Sequence, residues 1–145
     1  MGAVDTTAMS KRILIPVDGS PQSAEAAEFA AEEWPDAELL ALYVIDPVEA
    51  GYAAGRVPTA GEQWYEDAKE RAETYFNATE EAIDRELETR TEVGRPAATI
   101  VDVADEGFDM IVMGSHGRKG VSRILLGSVA EHVLRESPVP VTVVR

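Results

Sequence analysis

At 145 residues and 45% hydrophobic content, the chain is long enough for one globular domain with a real core and is not disordered by composition. The absence of cysteine excludes disulfides, zinc–thiolate sites and thiol catalysis, and no apolar run reaches the length of a transmembrane helix. A balance of 27 acidic against 13 basic side chains, net −14, argues against general nucleic-acid binding, which needs a basic footprint.

In chain order, residues 1–10 lack the basic start and apolar centre of a secretory signal and read as a flexible lead-in, so one domain over 11–145 and a cytoplasmic location are expected. Residues 11–18 form a short apolar run ended by Asp18-Gly19, a buried strand. Ser20 as N-cap and Pro21 in the first turn open a helix with Ala24, Ala27, Ala31 and Trp34 on one face, and Pro35 ends it. Residues 38–46 are a second buried strand, broken by Pro47. Residues 47–61, with Pro47, Gly51, Gly55 and Pro58, read as a loop of the length that is often functional or mobile. Helix resumes near Glu62. Tyr65, Ala68, Ala72, Tyr75, Thr79, Ile83 and Leu87 recur at helical spacing, which predicts an amphipathic helix to about residue 88.

Residues 89–93 make a short strand. Gly94-Arg95-Pro96 opens a third helix, with Ile100, Val101 and Ala104 inward and Gly107 as its stop. Residues 109–113 are the fourth strand. A glycine loop follows, then a helix over 128–136, closed by Pro138, and a last strand over 139–144. The alternation predicts an α/β fold: a five-stranded, doubly wound, Rossmann-like parallel sheet with helices on both faces. Ligands of such sheets sit at the carboxyl ends of the strands, where Asp18, Asp46 and Gly114 all fall.

The loop after the fourth strand carries the most specific signal. It reads Gly114-Ser115-His116-Gly117, nine residues, then Gly127-Ser128. Glycines permit close backbone approach to a ligand, and the helix that follows offers free N–H groups to an anion. Residues 114–129 contain Arg118, Lys119 and Arg123 and no acid, so this segment is +3 and the rest of the chain −17. A polyphosphate is attracted here and repelled elsewhere. On this reading Gly114 and Gly127 allow close approach, Ser128 offers a hydroxyl and an N–H, and Arg118 and Lys119 neutralise phosphate. Asp18 either accepts from a ribose hydroxyl or touches a metal, or else caps the Gly19-Ser20 turn. His116 either touches the nucleotide or shapes the loop. His132 reads as a structural residue on a helix face.

The spaced set Gly114, Gly117, Gly127 and Ser128 resembles the G-x-x-G-(nine residues)-G-[S/T] pattern of the universal stress protein family. The strand end Ile15-Pro16-Val17-Asp18-Gly19-Ser20, the segment Tyr43-Val44-Ile45-Asp46 and the terminal Pro138-Val139-Pro140-Val141 are similar to that family too, so the resemblance covers nearly all of 11–145. It implies an adenine nucleotide alpha hydrolase-like fold and membership of the ATP-binding subgroup. It implies that Pro16, Val17 and Asp18 line the nucleoside and that the backbone of Val44 meets adenine. Gly114, Gly117, Gly127, Ser128 and Val129 would hold ribose and phosphates, with Met113, His116 and Arg118 among the contacts. Mg2+ or Mn2+ would ride mainly on the phosphates.

The resemblance also implies a homodimer through residues 139–145, where Val139, Val141, Val143 and Val144 form an apolar edge guarded only by Pro140. No Walker pattern and no paired-carboxylate or Ser/His/Asp arrangement stands in the loop, so no catalytic residue is assigned. The expected role is an ATP-binding regulatory or stress-response factor with little or no hydrolysis. A slow metal-dependent ATPase and a dimerisation module that binds no nucleotide stand as alternatives. The acidic excess matches soluble proteins of a salt-rich cytoplasm.

Overall fold

The apolar runs read from the sequence become five parallel strands in the computed structural model, which describes residues 10–49, 63–116 and 126–145. The elements are β1 (Arg12–Pro16), α1 (Pro21–Glu33), β2 (Glu38–Ile45), α2 (Gln63–Ile83), β3 (Glu88–Val93), α3 (Pro96–Ala104), β4 (Met110–Gly114), α4 (Ser128–Glu136) and β5 (Val141–Val144). Residues 1–9, the loop expected beyond Glu49, and Gly117, Arg118, Lys119 and Arg123 lie outside the described residues.

The strand order is β3-β2-β1-β4-β5, with every neighbouring pair parallel. Right-handed crossovers run one way from β1 to β3 and the other way from β3 to β5, which puts helices on opposite faces. Ile13 and Ile15 of β1 join α1 and α2 in one core, through Ala26, Ala27, Ala68, Ala72 and Phe76. Leu14 points to the other face and joins α3 and α4 through Ile100, Val103, Ala130 and Val133. The period of two along one buried strand thus feeds two cores.

Local chemistry explains the helix starts. Ser20 is extended (φ −81, ψ 156), its Oγ accepts from the Ser23 N–H at 3.1 Å, and Pro21 follows with no N–H to satisfy. The buried stripe of α1 is Ser23, Ala26, Ala27 and Ala30, which corrects the expected one: Ala24 and Ala31 sit at its margin and Trp34 is the C-cap. Small side chains on that stripe let α1 lie close over β4.

In α2 the buried stripe is Ala68, Ala72, Phe76 and Thr79, and the helix stops at Ile83, short of residue 88. Asp84 takes a left-handed φ of 56° there and turns the chain. Leu87 therefore reaches the core from the connection to β3. On α3 the buried set is Ala97, Ile100, Val103 and Ala104, with Val101 at its edge. β5 starts at Val141, two residues later than expected.

Candidate functional site

β1 pairs with β2 as far as Pro16–Leu42 but with β4 only as far as Leu14–Ile111. Beyond those registers the strands part, at the point where the strand order reverses. A cleft of about 820 Å³ opens there, between the carboxyl ends of β1, β2 and β4 and the first turns of α3 and α4. Its size is that of a small-molecule or cofactor site.

The β2 wall supplies a backbone edge. The N–H of Glu38 bonds to Lys11 O and Leu42 O accepts from the Val17 N–H, so even-numbered residues of β2 face β1. Ile45 faces β3, its carbonyl accepting from the Gly94 N–H at 2.9 Å. Val44 therefore turns its N–H and C=O toward β1, at a level where β1 has already ended. Neither group has a backbone partner among the described residues. A donor and an acceptor side by side, at the lip of a cleft, suit the edge of a heterocyclic base.

The β1 wall is Pro16, Val17 and Asp18. Asp18 Oδ1 accepts from the Ser20 N–H at 2.9 Å, so the turn-capping role is realised while the residue still lines the cleft. Gly19 has a φ of 83°, and a Cβ there would stand 2.5 Å from the Tyr75 ring. Only glycine meets both conditions.

The β4 wall adds a packing role to an expected one. A Cβ on Gly114 would lie 2.7 Å from Gln22 Cβ and 2.9 Å from the Gln22 backbone, so Gly114, which lines the cleft, also makes room for α1. Gly127 closes the base of the loop: its N–H donates to Ser115 O at 2.8 Å, and a Cβ would be 3.2 Å from that oxygen and 3.4 Å from His116 Cα. As N-cap of α4, Gly127 brings no capping side chain. The first intrahelical bond runs from the Glu131 N–H to Gly127 O, which leaves the N–H groups of Ser128, Val129 and Ala130, all cleft-lining residues, without a backbone partner among the described residues. His116 Nδ1 is 3.1 Å from Ser115 Oγ, and His116 Nε2 is buried without a partner among the described residues. Met113 lines the floor.

The cleft thus gathers Pro16, Val17, Asp18, Val44, Met113, Gly114, His116, Gly127, Ser128 and Val129, while Gly117 and Arg118 fall outside the described residues. Sequence reasoning missed Arg95, at the start of α3, although it lies at a strand-to-helix junction like Asp18. It also assigned His132 a structural role. His132 is exposed and lines the cleft one turn after Ser128, as the spacing i, i+4 on α4 requires. Asp46 lines the cleft and holds the following turn, Oδ1 accepting from the Val48 N–H at 3.0 Å. Among the described residues, no group of three or more His, Asp or Glu side chains is arranged to hold a metal ion.

Arg90 of β3 holds Glu106 bidentately, Nη1–Oε1 2.9 Å and Nη2–Oε2 3.2 Å, and reaches Glu92 at 2.7 Å. Those hydrogen bonds raise the Arg90 pKa and lower that of Glu106. The network ties the edge strand to the end of α3 and touches no residue of the cleft.

Comparison with known proteins decides the family. The family model of the universal stress proteins matches residues 9–145. The chain belongs to the universal stress protein family. Universal stress protein MJ0531 of Methanocaldococcus jannaschii is 40% identical over 141 residues, covering 93% of this chain and 82% of that one. The solved structure of protein MJ0577 from the same organism superposes with a TM-score of 0.77 at 32% identity, covering 94% of this chain and 96% of that one. A universal stress protein solved in complex with cAMP superposes with a TM-score of 0.63 at 26% identity, covering 93% and 97%. No helix among the described residues of this universal stress protein is long and apolar enough to cross a membrane.

Proposed function

We propose that this universal stress protein binds an adenine nucleotide, ATP foremost, in the carboxyl-end cleft and acts as a nucleotide-dependent regulatory or stress-response factor of the cytoplasm, with little or no hydrolysis. The observation that carries the reading is the pairing of two unsatisfied backbone features across one cleft. One is the N–H and C=O of Val44, which have no backbone partner among the described residues. The other is the uncapped start of α4 at Ser128. The first suits adenine, whose edge offers an acceptor beside a donor. The second suits phosphate. Asp18, Pro16 and Val17 lie between and line the nucleoside. Gly117, Arg118 and Lys119 would supply the remaining phosphate contacts, and Mg2+ or Mn2+, if bound, would be held mainly by the phosphates and would offset their charge. The relative solved with cAMP supports an adenine ligand for a cleft of this fold.

Little hydrolysis is expected because the sequence carries no Walker pattern and the glycine loop no paired-carboxylate or Ser/His/Asp arrangement. The dimer forms through the edge of β5.

The test is calorimetric titration with ATP, magnesium and near-molar salt, on wild type and Ser128→Asp. An acid in the first turn favours the helix but repels phosphate. The variant is expected to keep its thermal stability and to lose at least about tenfold in ATP affinity. Absence of ATP binding by folded wild type would overturn the reading and favour the dimerisation module. Release of inorganic phosphate at enzymatic rates would favour the ATPase.

A further inference from the structure

Arg95 occupies the N-cap of α3 (φ −82, ψ 130), and its side chain makes no capping hydrogen bond. This is a poor local choice. N-caps favour Ser, Thr, Asp or Asn, whose oxygens accept from the first-turn N–H groups, and a guanidinium has no acceptor to offer. A cation at a helix start also opposes the helix dipole. Nor does an ion pair offset it: among the described residues Arg95 has no salt-bridge partner, although Asp46 and Glu49 line the same cleft. Positions that break a local rule without a visible structural return are where function is expected.

The position points to a role. Pro96 follows at the first helical position, and Arg95 O accepts from the Thr99 N–H at 2.9 Å, so the backbone that carries the side chain is fixed. α3 lies over β2: Ala97 and Ile100 pack with Leu40 and Leu42, and Val44 packs against the same cluster. Arg95 therefore begins the helix above the Val44 edge, and it lines the cleft there. It is the one lysine or arginine on the cleft wall among the described residues. The phosphate-favouring groups, at Ser128 and Val129, belong to α4.

We propose that Arg95 is a further binding residue whose planar guanidinium stacks on the base of a nucleotide held at the Val44 edge. The proposal rests on the nucleotide reading of this cleft. A guanidinium is flat, weakly hydrated and suited to an aromatic face, which an ammonium of equal charge is not. The contact is to the base and indifferent to the number of phosphates.

The experiment compares wild type, Arg95→Ala, Arg95→Lys and Arg95→Ser in calorimetric titrations with adenosine, AMP and ATP, together with thermal unfolding of the ligand-free proteins. Arg95→Ala is expected to weaken all three ligands by the same factor, about threefold to thirtyfold. Arg95→Lys is expected to lose as much. Ligand-free Arg95→Ser is expected to melt about 2–5 °C higher, because it gains a cap and sheds an opposed charge.

A loss that grows from adenosine to ATP would overturn stacking in favour of a phosphate contact. Rescue by lysine, unchanged affinities, or a lower melting temperature of Arg95→Ser would each overturn the proposal as well. Wild type that binds none of the three ligands would instead bring down the nucleotide reading, and the proposal with it.

Discussion

Gly114 shows what a glycine in a motif does and does not reveal. Its spacing to Gly117, Gly127 and Ser128 marks the family, and its place after an apolar strand marks the loop. Both were legible. The neighbour that demands glycine was not, because it is Gln22, more than ninety residues earlier in the chain and brought close only by the packing of α1 on β4. Gly114→Ala forces a Cβ to within 2.9 Å of helix backbone, which cannot yield as a side-chain tip can. Destabilisation of about 1–3 kcal/mol is expected in denaturant unfolding. Gly127→Ala meets its nearest atom at 3.2 Å and is expected to be the milder change. A Gly114→Ala protein as stable as wild type would mean that α1 stands further from β4 than described. Loss of ligand binding in any Gly114 variant reflects the fold before it reflects the site, which is why Ser128→Asp is the better probe of the cleft. Arg95 and His132 escaped the sequence reading for a related reason: each is an ordinary helix residue until the two helix starts are brought to one rim.

Element boundaries were legible where backbone chemistry sets them and not where packing does. Ser20-Pro21 and Gly94-Arg95-Pro96 start helices as expected, because proline at the first turn is a local constraint. The end of α2 at Ile83 escaped, since the apolar period continues to Leu87 while the chain has already turned at Asp84. The short, polar β3 is held at the sheet edge in part by Arg90, which bonds Glu106 beyond α3. That pair predicts a pH dependence. The hydrogen bond from Arg90 lowers the folded-state pKa of Glu106 below its ordinary 4.5. A carboxyl with a depressed folded value contributes stability that is fully present above its unfolded pKa and is lost as pH falls through the folded one. Wild type is therefore expected to be more stable than Glu106→Gln at neutral pH. The difference is expected to close as the pH is lowered through and below 4.5. Because the pair is solvent-exposed, the effect is small. A gap that persists at the acid end would assign the effect of the substitution to something other than this ion pair.

For the whole molecule, the alternation of strands and helices was enough to fix a doubly wound sheet, and the reversal of strand order to fix where its cleft opens. What alternation does not supply is the state of the edges. β5 is an edge: Pro140 O and Val144 O accept from Ile111 and Ser115, so the backbone groups of Val141 and Val143 point away from β4. Its four residues are only half-buried. No strand among the described residues pairs with this apolar edge, and such an edge invites a second copy of the chain. Opposing this, each protomer carries a formal charge of −14, and two such bodies repel until salt screens them over about 8–10 Å. The two effects together predict a dimer that strengthens with ionic strength. In sedimentation equilibrium at micromolar protein, the dimer fraction is expected to rise from dilute buffer to near-molar potassium chloride. Val143→Pro removes one outward N–H and leaves the hydrogen bonds to β4 in place, because Val143 makes none of them. It is expected to shift the curve toward monomer at every salt concentration while the far-ultraviolet circular dichroism stays that of the wild type. If wild type remains monomeric in near-molar salt, the β5 edge is not the dimer surface and must be covered some other way. If the dimer forms but Val143→Pro leaves it untouched, pairing runs through another face.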